Sequence, residues 1–149
     1  MKEIFLMKEE DIATLANKVV HILSSSESSK AKVLLLDGDL GAGKTTFTKE
    51  LASVIGIDKM HVTSPTFILK KEHKAEHSLF KKLVHVDAYR FTTPQEAKVL
   101  RLEDDLGDSN TLIAIEWPSK MKYLKADVEL LFNILDDETR EVTIRYEDY

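Results

Sequence analysis

The octapeptide GDLGAGKT, from Gly38 to Thr45, is the feature that most constrains what this chain can fold into. It has the spacing G-x-x-x-x-G-K-[S/T], follows the apolar run KVLLLD and precedes a helical pattern from Lys44 to about Ile55. In that context the glycines let backbone N–H groups turn toward phosphate oxygens, and the helix N-terminus adds positive potential. The motif therefore predicts a P-loop, a phosphate-binding turn between a strand and a helix.

Two side chains of the loop have expected roles in such a site. Lys44 is placed to reach the β and γ phosphates of a nucleoside triphosphate, and the Thr45 hydroxyl is placed to ligate magnesium. The alternative is an ordinary tight turn with a solvated lysine. Three of the five glycines in the chain fall within these eight residues, which favours phosphate binding.

Two acidic residues are candidates for the remaining chemistry. Phosphoryl transfer depends on positioning and charge stabilisation, so it needs an acid that holds magnesium and a group that orients water. Asp87 and Glu116 each end an apolar run, KLVHVD and TLIAIE, and the carboxyl ends of parallel strands meet the ligand in open α/β sheets. Lys44, Asp87 and Glu116 are the predicted catalytic residues. Which acid is the base and which is the metal ligand stays open.

The order of patterns along the chain favours an α/β fold. Residues Glu9–Leu23 show the 3.6-residue apolar period of an amphipathic helix, and the serine-rich stretch 24–30 is typical of a linker. Residues 64–73 favour an extended segment, a short helix is expected after Pro94, and residues 127–146 predict an antiparallel hairpin. We therefore predict a single P-loop NTPase domain over residues 1–149, with a mostly parallel central sheet flanked by helices and antiparallel additions.

Composition narrows the function further. A chain of 149 residues has the size of one domain, and its net charge of −5 argues against gripping nucleic acid over the whole surface. Without cysteines, a bound metal is expected to be held by oxygen ligands. The acidic N-terminus and the lack of an apolar run of about 20 residues make a cytoplasmic location the expectation.

Four motifs, in this order, resemble the bacterial TsaE (formerly YjeE) family: GDLGAGKTTF, TSPTF, HVDAYR and IEWP. The resemblance spans about residues 9–146. It implies a small P-loop ATPase required for threonylcarbamoyladenosine modification of transfer RNA, with ATP and Mg²⁺ as cofactors. The implied partners are subunits of the threonylcarbamoyl-transferase complex, of the TsaD and TsaB type, with transfer RNA reached mainly through that complex.

The same resemblance implies roles for individual residues. Magnesium would be held by Thr45 and Glu116, with Asp87 near the attacking water. Ser64 and Thr66 would form a switch facing the γ-phosphate. Trp117 and Arg90 would lie near the site. The implied nucleotide-binding residues are Asp39, Leu40, Gly41, Ala42, Gly43, Lys44, Thr45 and Thr46.

Two other functions are compatible with the loop. A small-molecule kinase would use the same loop but usually closes several arginines over the phosphates, and among the four arginines of this chain only Arg90 adjoins a motif. The shortage of arginines also predicts slow hydrolysis by the isolated protein. The second alternative is a nucleotide-dependent interaction module in which hydrolysis is incidental. The basic stretch 70–82 is expected to be a solvated hairpin tip, or otherwise a partner or transfer RNA contact.

Overall fold

The computed structural model describes residues 1–39, 41–62, 70–89, 93, 95, 98, 100–117 and 124–147. Structural statements concern these residues. Four of the predicted site positions lie outside them, namely Leu40, Ser64, Thr66 and Arg90. Pro94, after which a short helix is expected, also lies outside.

A seven-stranded sheet forms the centre of the described structure, with the strand order β1-β7-β6-β2-β5-β4-β3. The four central strands β6, β2, β5 and β4 are mutually parallel, and antiparallel pairs complete both edges. The strands are β1 (Lys2–Met7), β2 (Lys32–Gly38), β3 (Lys70–Lys74), β4 (Lys82–Asp87), β5 (Thr111–Glu116), β6 (Val128–Ile134) and β7 (Arg140–Tyr146).

Three α-helices lie within the described ranges: α1 (Ile12–Ser24), α2 (Lys44–Val54) and α3 (Leu102–Leu106). Short 3₁₀ turns cover Glu9–Asp11 and Lys59–His61. The predicted fold class, an α/β P-loop domain with a parallel sheet centre and a C-terminal antiparallel hairpin, is confirmed. No helix in the described ranges is long and apolar enough to cross a membrane.

One strand was not predicted from the sequence. Residues Lys2–Met7 pair antiparallel with β7, with Phe5 opposite Val142, and their exposed and covered positions alternate. The segment KEIFLM mixes β-forming residues with Lys, Glu and Met, so its intrinsic preference for a strand is weak. Its partner strand lies at the far end of the chain, and this long-range pairing determines its structure.

Two layers cover the sheet. Helices α1 and α2 pack on one face, where Leu15, Leu51 and Phe47 are fully buried and the Phe47 ring meets Phe132 edge to face at 5.8 Å. On the opposite face, buried leucines outside the sheet, among them Leu102 of α3, cover the central strands. Strand β2 sends side chains into both layers, which explains why KVLLL is apolar throughout rather than alternating.

The basic stretch 70–82 forms the β3–β4 hairpin, and its tip is only partly solvated. Ala75 and Phe80 are buried in the main core. The backbone N–H of Glu76 donates to the Ile55 carbonyl at the end of α2. Gly56, with φ of +83°, lies so close that an added Cβ would stand 2.5 Å from the Glu76 oxygen. The tip is therefore fixed to the helix that begins at the P-loop.

A buried carboxylate joins this hairpin to α3. Asp105 is 4% exposed and forms ion pairs with Lys70 Nζ at 2.7 Å and Lys82 Nζ at 2.8 Å. Burial alone would raise the pKa of Asp105, but the two ammonium groups reverse this and lower it below its ordinary value of 3.8. The carboxylate therefore binds both hairpin lysines and offsets one of their two charges, which leaves less positive charge for a ligand.

We expect Asp105→Asn to lower the free energy of unfolding by about 2 kcal/mol, because two partly buried ammonium groups lose their counter-charge. The folded-state pKa of Asp105 is lowered, so the stabilisation is complete above the unfolded-state pKa and is lost as pH falls through the folded-state value. Denaturant unfolding of both proteins from pH 7 downward should show the difference shrinking below pH 3.8. The exposed neighbour Asp104→Asn is the control and should change stability little. A pH-independent difference would contradict the ion-pair explanation.

Candidate functional site

The turn after β2 has the backbone geometry of a glycine-dependent loop. Gly38 has φ of +145°, Gly41 of +80° and Gly43, the residue before α2, of +102°. At Gly38 an added Cβ would stand 2.6 Å from the Phe132 carbonyl oxygen. A residue with a Cβ would be strained by the positive φ at these positions, and at Gly38 it would also clash with Phe132. The loop leads directly into the N-terminus of α2, where the first backbone N–H groups have no partner within the helix.

Lys44 lies over this loop. It is 5% exposed, and its Nζ donates hydrogen bonds to the carbonyl oxygens of Gly38, at 2.5 Å, and Asp39, at 2.9 Å. The same ammonium lies 3.8 Å from the centroid of the Trp117 ring, a cation–π contact. Burial lowers the pKa of Lys44, and the nearby acids, foremost Glu116, oppose that shift.

The two predicted acids are direct neighbours in the sheet. Parallel pairing of β4 with β5 places Asp87 opposite Glu116, and pairing of β2 with β5 places Leu36 opposite the same residue. The Thr45 hydroxyl donates to Glu116 Oε1 at 3.0 Å. The structure therefore brings Thr45, Glu116 and Asp87 together at the carboxyl end of the parallel strands.

His85 is a member of this cluster that the sequence interpretation missed. Its Nε2 lies 2.6 Å from Glu116 Oε2, and the ring is fully buried. In a strand, residues two apart face the same side, so the position of His85 two residues before Asp87 was the available signal. Thr45 contacts both Glu116 oxygens, Oε1 at 3.0 Å and Oε2 at 3.4 Å, and together with His85 it fixes the carboxylate in place.

Asp87 has a different environment from Glu116. Its Oδ1 accepts a hydrogen bond from the Tyr89 backbone N–H at 2.9 Å. Burial raises the pKa of Asp87 and the neighbouring Glu116 adds to the shift, although the Tyr89 hydrogen bond opposes it. A carboxylate with a raised pKa is a better proton acceptor near neutral pH.

Trp117 follows Glu116 in a strained conformation. Its φ of +59° is unusual for a bulky residue, and strain of this kind costs on the order of 1–3 kcal/mol. The Trp117 backbone N–H donates to the Leu36 carbonyl, and its ring stands 5.0 Å from the ring of the exposed Tyr89. This backbone turn directs the indole back over Lys44, so the Trp117 ring lies beside the loop.

A cavity of about 450 Å³ lies beside the loop. The N-terminal segment, the loop, the start of α2 and the β6–β7 turn all contribute to it. Its lining residues are Met7, Lys8, Glu9, Glu10, Ile12, Gly41, Ala42, Gly43, Thr46, Asp137, Glu138 and Arg140.

Arg140 is the second residue at the site that sequence reasoning missed. It lies 96 positions beyond Lys44 in the chain, outside every motif, and is brought near the loop because β7 pairs with β6, which in turn pairs with β2. Its Nη2 donates to the Gly41 carbonyl at 3.3 Å. In the sequence Arg90 is the arginine that adjoins a motif, and the sheet pairing brings Arg140 to the loop in addition.

The oxygen donors beside the loop fit a magnesium ion that is also bound by phosphate oxygens. Within the described residues no group of three or more His, Asp or Glu side chains is arranged to hold a metal by itself. Thr45 and Glu116 do supply two hard oxygen donors, 3.0 Å apart, beside the loop. Mg²⁺ is commonly held by one or two protein oxygens together with substrate phosphates, so the residues fit such an ion.

The parallel sheet, the glycine loop after its central strand and the lysine at the start of α2 define a P-loop protein of the α/β class. A family model described as "Threonylcarbamoyl adenosine biosynthesis protein TsaE" matches residues 6–144. The chain belongs to the TsaE family, as the sequence resemblance indicated.

Individual relatives agree with this assignment. The tRNA threonylcarbamoyladenosine biosynthesis protein TsaE of Aquifex aeolicus is 35% identical over 145 residues, which cover 97% of this chain and 96% of the relative. The TsaE protein of Haemophilus influenzae is 30% identical over 141 residues, covering 94% and 86%. The crystal structure of Bacillus subtilis YdiB aligns with a TM-score of 0.66 and 26% identity, covering 97% of this chain and 84% of that one.

Because Lys44 lies against the only tryptophan of the chain, phosphate binding should change the tryptophan emission. A phosphate that draws the ammonium away from the ring removes the cation–π contact. We expect magnesium with ATP or ADP to alter the emission of Trp117 in a saturable way, and magnesium with adenosine to leave it nearly unchanged. Steady-state fluorescence titration measures this. A spectrum that saturating nucleotide leaves untouched would contradict a ligand-dependent Lys44–Trp117 contact.

Proposed function

We propose that this protein binds ATP with magnesium at the P-loop, hydrolyses it slowly, and supports the threonylcarbamoyl-transferase complex that forms N6-threonylcarbamoyladenosine at adenosine 37 of transfer RNA. The observation that carries the proposal is the convergence of Lys44, Thr45 and Glu116 at the carboxyl end of β2 and β5, with Asp87 on the next strand. Family membership supplies the pathway.

The geometry favours one direction for the bound nucleotide. Thr45 faces Glu116 on the β5 side of β2, whereas the next residue, Thr46, faces the cavity on the β7 side. The phosphate loop lies between the two sides. We therefore place the γ-phosphate near Glu116 and Asp87 and the nucleoside in the 450 Å³ cavity, where Ile12 offers an apolar surface.

Thr45 and Glu116 would hold the magnesium ion, which supplies charge neutralisation at the β and γ phosphates. Lys44 leaves its two carbonyl partners and binds the same phosphates. His85 keeps the Glu116 carboxylate oriented through the 2.6 Å contact. Glu116 and His85 are positioned by the sheet, and Thr45 by the start of α2, before the ligand arrives, which reduces the cost of ordering the site.

Asp87 is the better placed of the two acids to accept a proton from the attacking water. Its carboxylate is not held by Thr45 or His85, and its pKa is raised by burial. Glu116, with both oxygens engaged, is the better metal ligand. We therefore propose Asp87 as the base and Glu116 as the metal ligand, two roles that the sequence left open.

The proposed slow turnover follows from the charges around the γ-phosphate side. Among the described residues, Lys44 is the cation adjoining Glu116, and an additional arginine at that position typically accelerates such reactions by about 10³–10⁵. We propose that the transferase complex is the partner that uses the ATP-bound state, that it provides most of the transfer RNA contact, and that both act in the cytoplasm.

Replacing Glu116 by Gln should lower ATP hydrolysis by about 10²-fold or more while changing ATP affinity much less, because the amide keeps the shape of the carboxylate but loses its charge. Asp87→Asn is the matched variant, since it removes the neighbouring charge in the same way. Single-turnover rates measured over a magnesium series separate the roles. If Asp87→Asn, and not Glu116→Gln, raises the magnesium requirement, the roles of the two acids are reversed.

A second experiment tests whether ATP resets the transferase complex for another round of modification. Transfer RNA modification is measured with limiting transferase complex, adding either the wild-type protein or Lys44→Ala. We expect the wild-type protein to support many rounds and the variant about one, because the variant loses the charge that binds the β and γ phosphates. Equal numbers of rounds would exclude a role for ATP in resetting the complex and favour an interaction module with incidental hydrolysis.

A further inference from the structure

Arg140 carries a charge that no acid neutralises within the described part of the chain. Its Nη1 donates to the carbonyl oxygens of Asp136 at 2.7 Å and Thr139 at 3.3 Å, and its Nη2 donates to the Gly41 carbonyl. Its Nε is buried without a hydrogen-bond partner. A half-buried guanidinium whose partners are all neutral carbonyls is unusual, because such groups are normally paired with anions.

The position of Arg140 is set by the sheet. It is the first residue of β7 and stands opposite Met7 of β1. Alternation along β7 turns Arg140 to the same face as Val142 and Ile144, which is the face covered by α1 and α2. The guanidinium therefore lines the cavity beside the loop, on the opposite side of β2 from Glu116.

The cavity around this cation is mostly acidic, and Lys8 is the other basic residue that lines it. Glu9, Glu10, Asp137 and Glu138 all line it, and none of them forms an ion pair with Arg140. A polyphosphate that extends from the loop into this cavity would be repelled by the four carboxylates unless a cation compensated for them. Arg140 is the cation of the cavity lining that hydrogen-bonds to the loop, at the Gly41 carbonyl.

We propose that Arg140 is a nucleotide-binding residue that binds the α-phosphate end of the ligand. The inference rests on the proposed function, which places the γ-phosphate near Glu116 and the nucleoside in the cavity. With that direction, the α-phosphate lies between Thr46 and Arg140. The planar guanidinium exchanges its weak 3.3 Å bond to Gly41 for charge-assisted bonds to phosphate oxygens.

The test compares magnesium–ATP with magnesium–pyrophosphate, measured by calorimetry on the full-length protein. Pyrophosphate occupies the β and γ positions and lacks the α-phosphate, so it should not need Arg140. We expect Arg140→Ala to weaken ATP binding by about tenfold or more and pyrophosphate binding by less than about twofold. Arg140→Lys should recover part of the ATP affinity, because it keeps the charge but not the planar fork.

Arg145→Ala is the matched control, since it removes an exposed arginine from the same strand on the opposite face of the sheet. It should leave both affinities unchanged. Thermal melting of every variant checks that the β6–β7 turn, which Arg140 also holds, remains folded. Unchanged ATP affinity in Arg140→Ala would overturn the proposal, as would an equal loss for ATP and pyrophosphate, which would mean that Arg140 only shapes the loop. If the wild-type protein binds neither ligand, the P-loop function itself fails.

Discussion

The parallel pairing of β5 between β2 and β4 is the constraint on which the site depends. It sets Glu116 level with Leu36 and Asp87, so the strand ends that carry the chemistry reach the same edge. A slip of one residue would turn every side chain of the strand to the opposite face. Glu116 would then no longer contact Thr45. The buried runs of β2, β4 and β5 hold that register, because any slip would also misplace their apolar side chains.

The same pairing requires charged groups to be buried. Lys44, Glu116 and His85 are each at most 5% exposed, and groups of this kind are costly unless they have partners. Here the partners are one another, the loop carbonyls and the Trp117 ring. The backbone of Trp117 is strained as well, and such strain persists where the surrounding structure fixes a residue for its function.

The local parts of this structure were predictable from the sequence. The loop, the start of α2 and the two acids follow from short patterns whose physical meaning does not depend on distant residues. Strand β1 could not be found in this way, because it pairs with a segment more than 120 residues away. Arg140 could not be found either, because only the parallel pairing of β6 with β2 brings its hairpin beside the loop. His85 is an intermediate case, since its strand position was evident but its contact with Glu116 requires the neighbouring strand.

The first residues of α2 face two different sides of the site, Thr45 towards Glu116 and Thr46 towards the cavity. Consecutive residues on a helix point about 100° apart, so Thr45 and Thr46 face opposite sides of β2 without any insertion in the chain. Lys44 stands on one side and Arg140 on the other, both in contact with loop carbonyls. A triphosphate lying along the loop would therefore meet positive charge at both ends. In a protein with a net charge of −5, this placement provides positive charge on both sides of the loop.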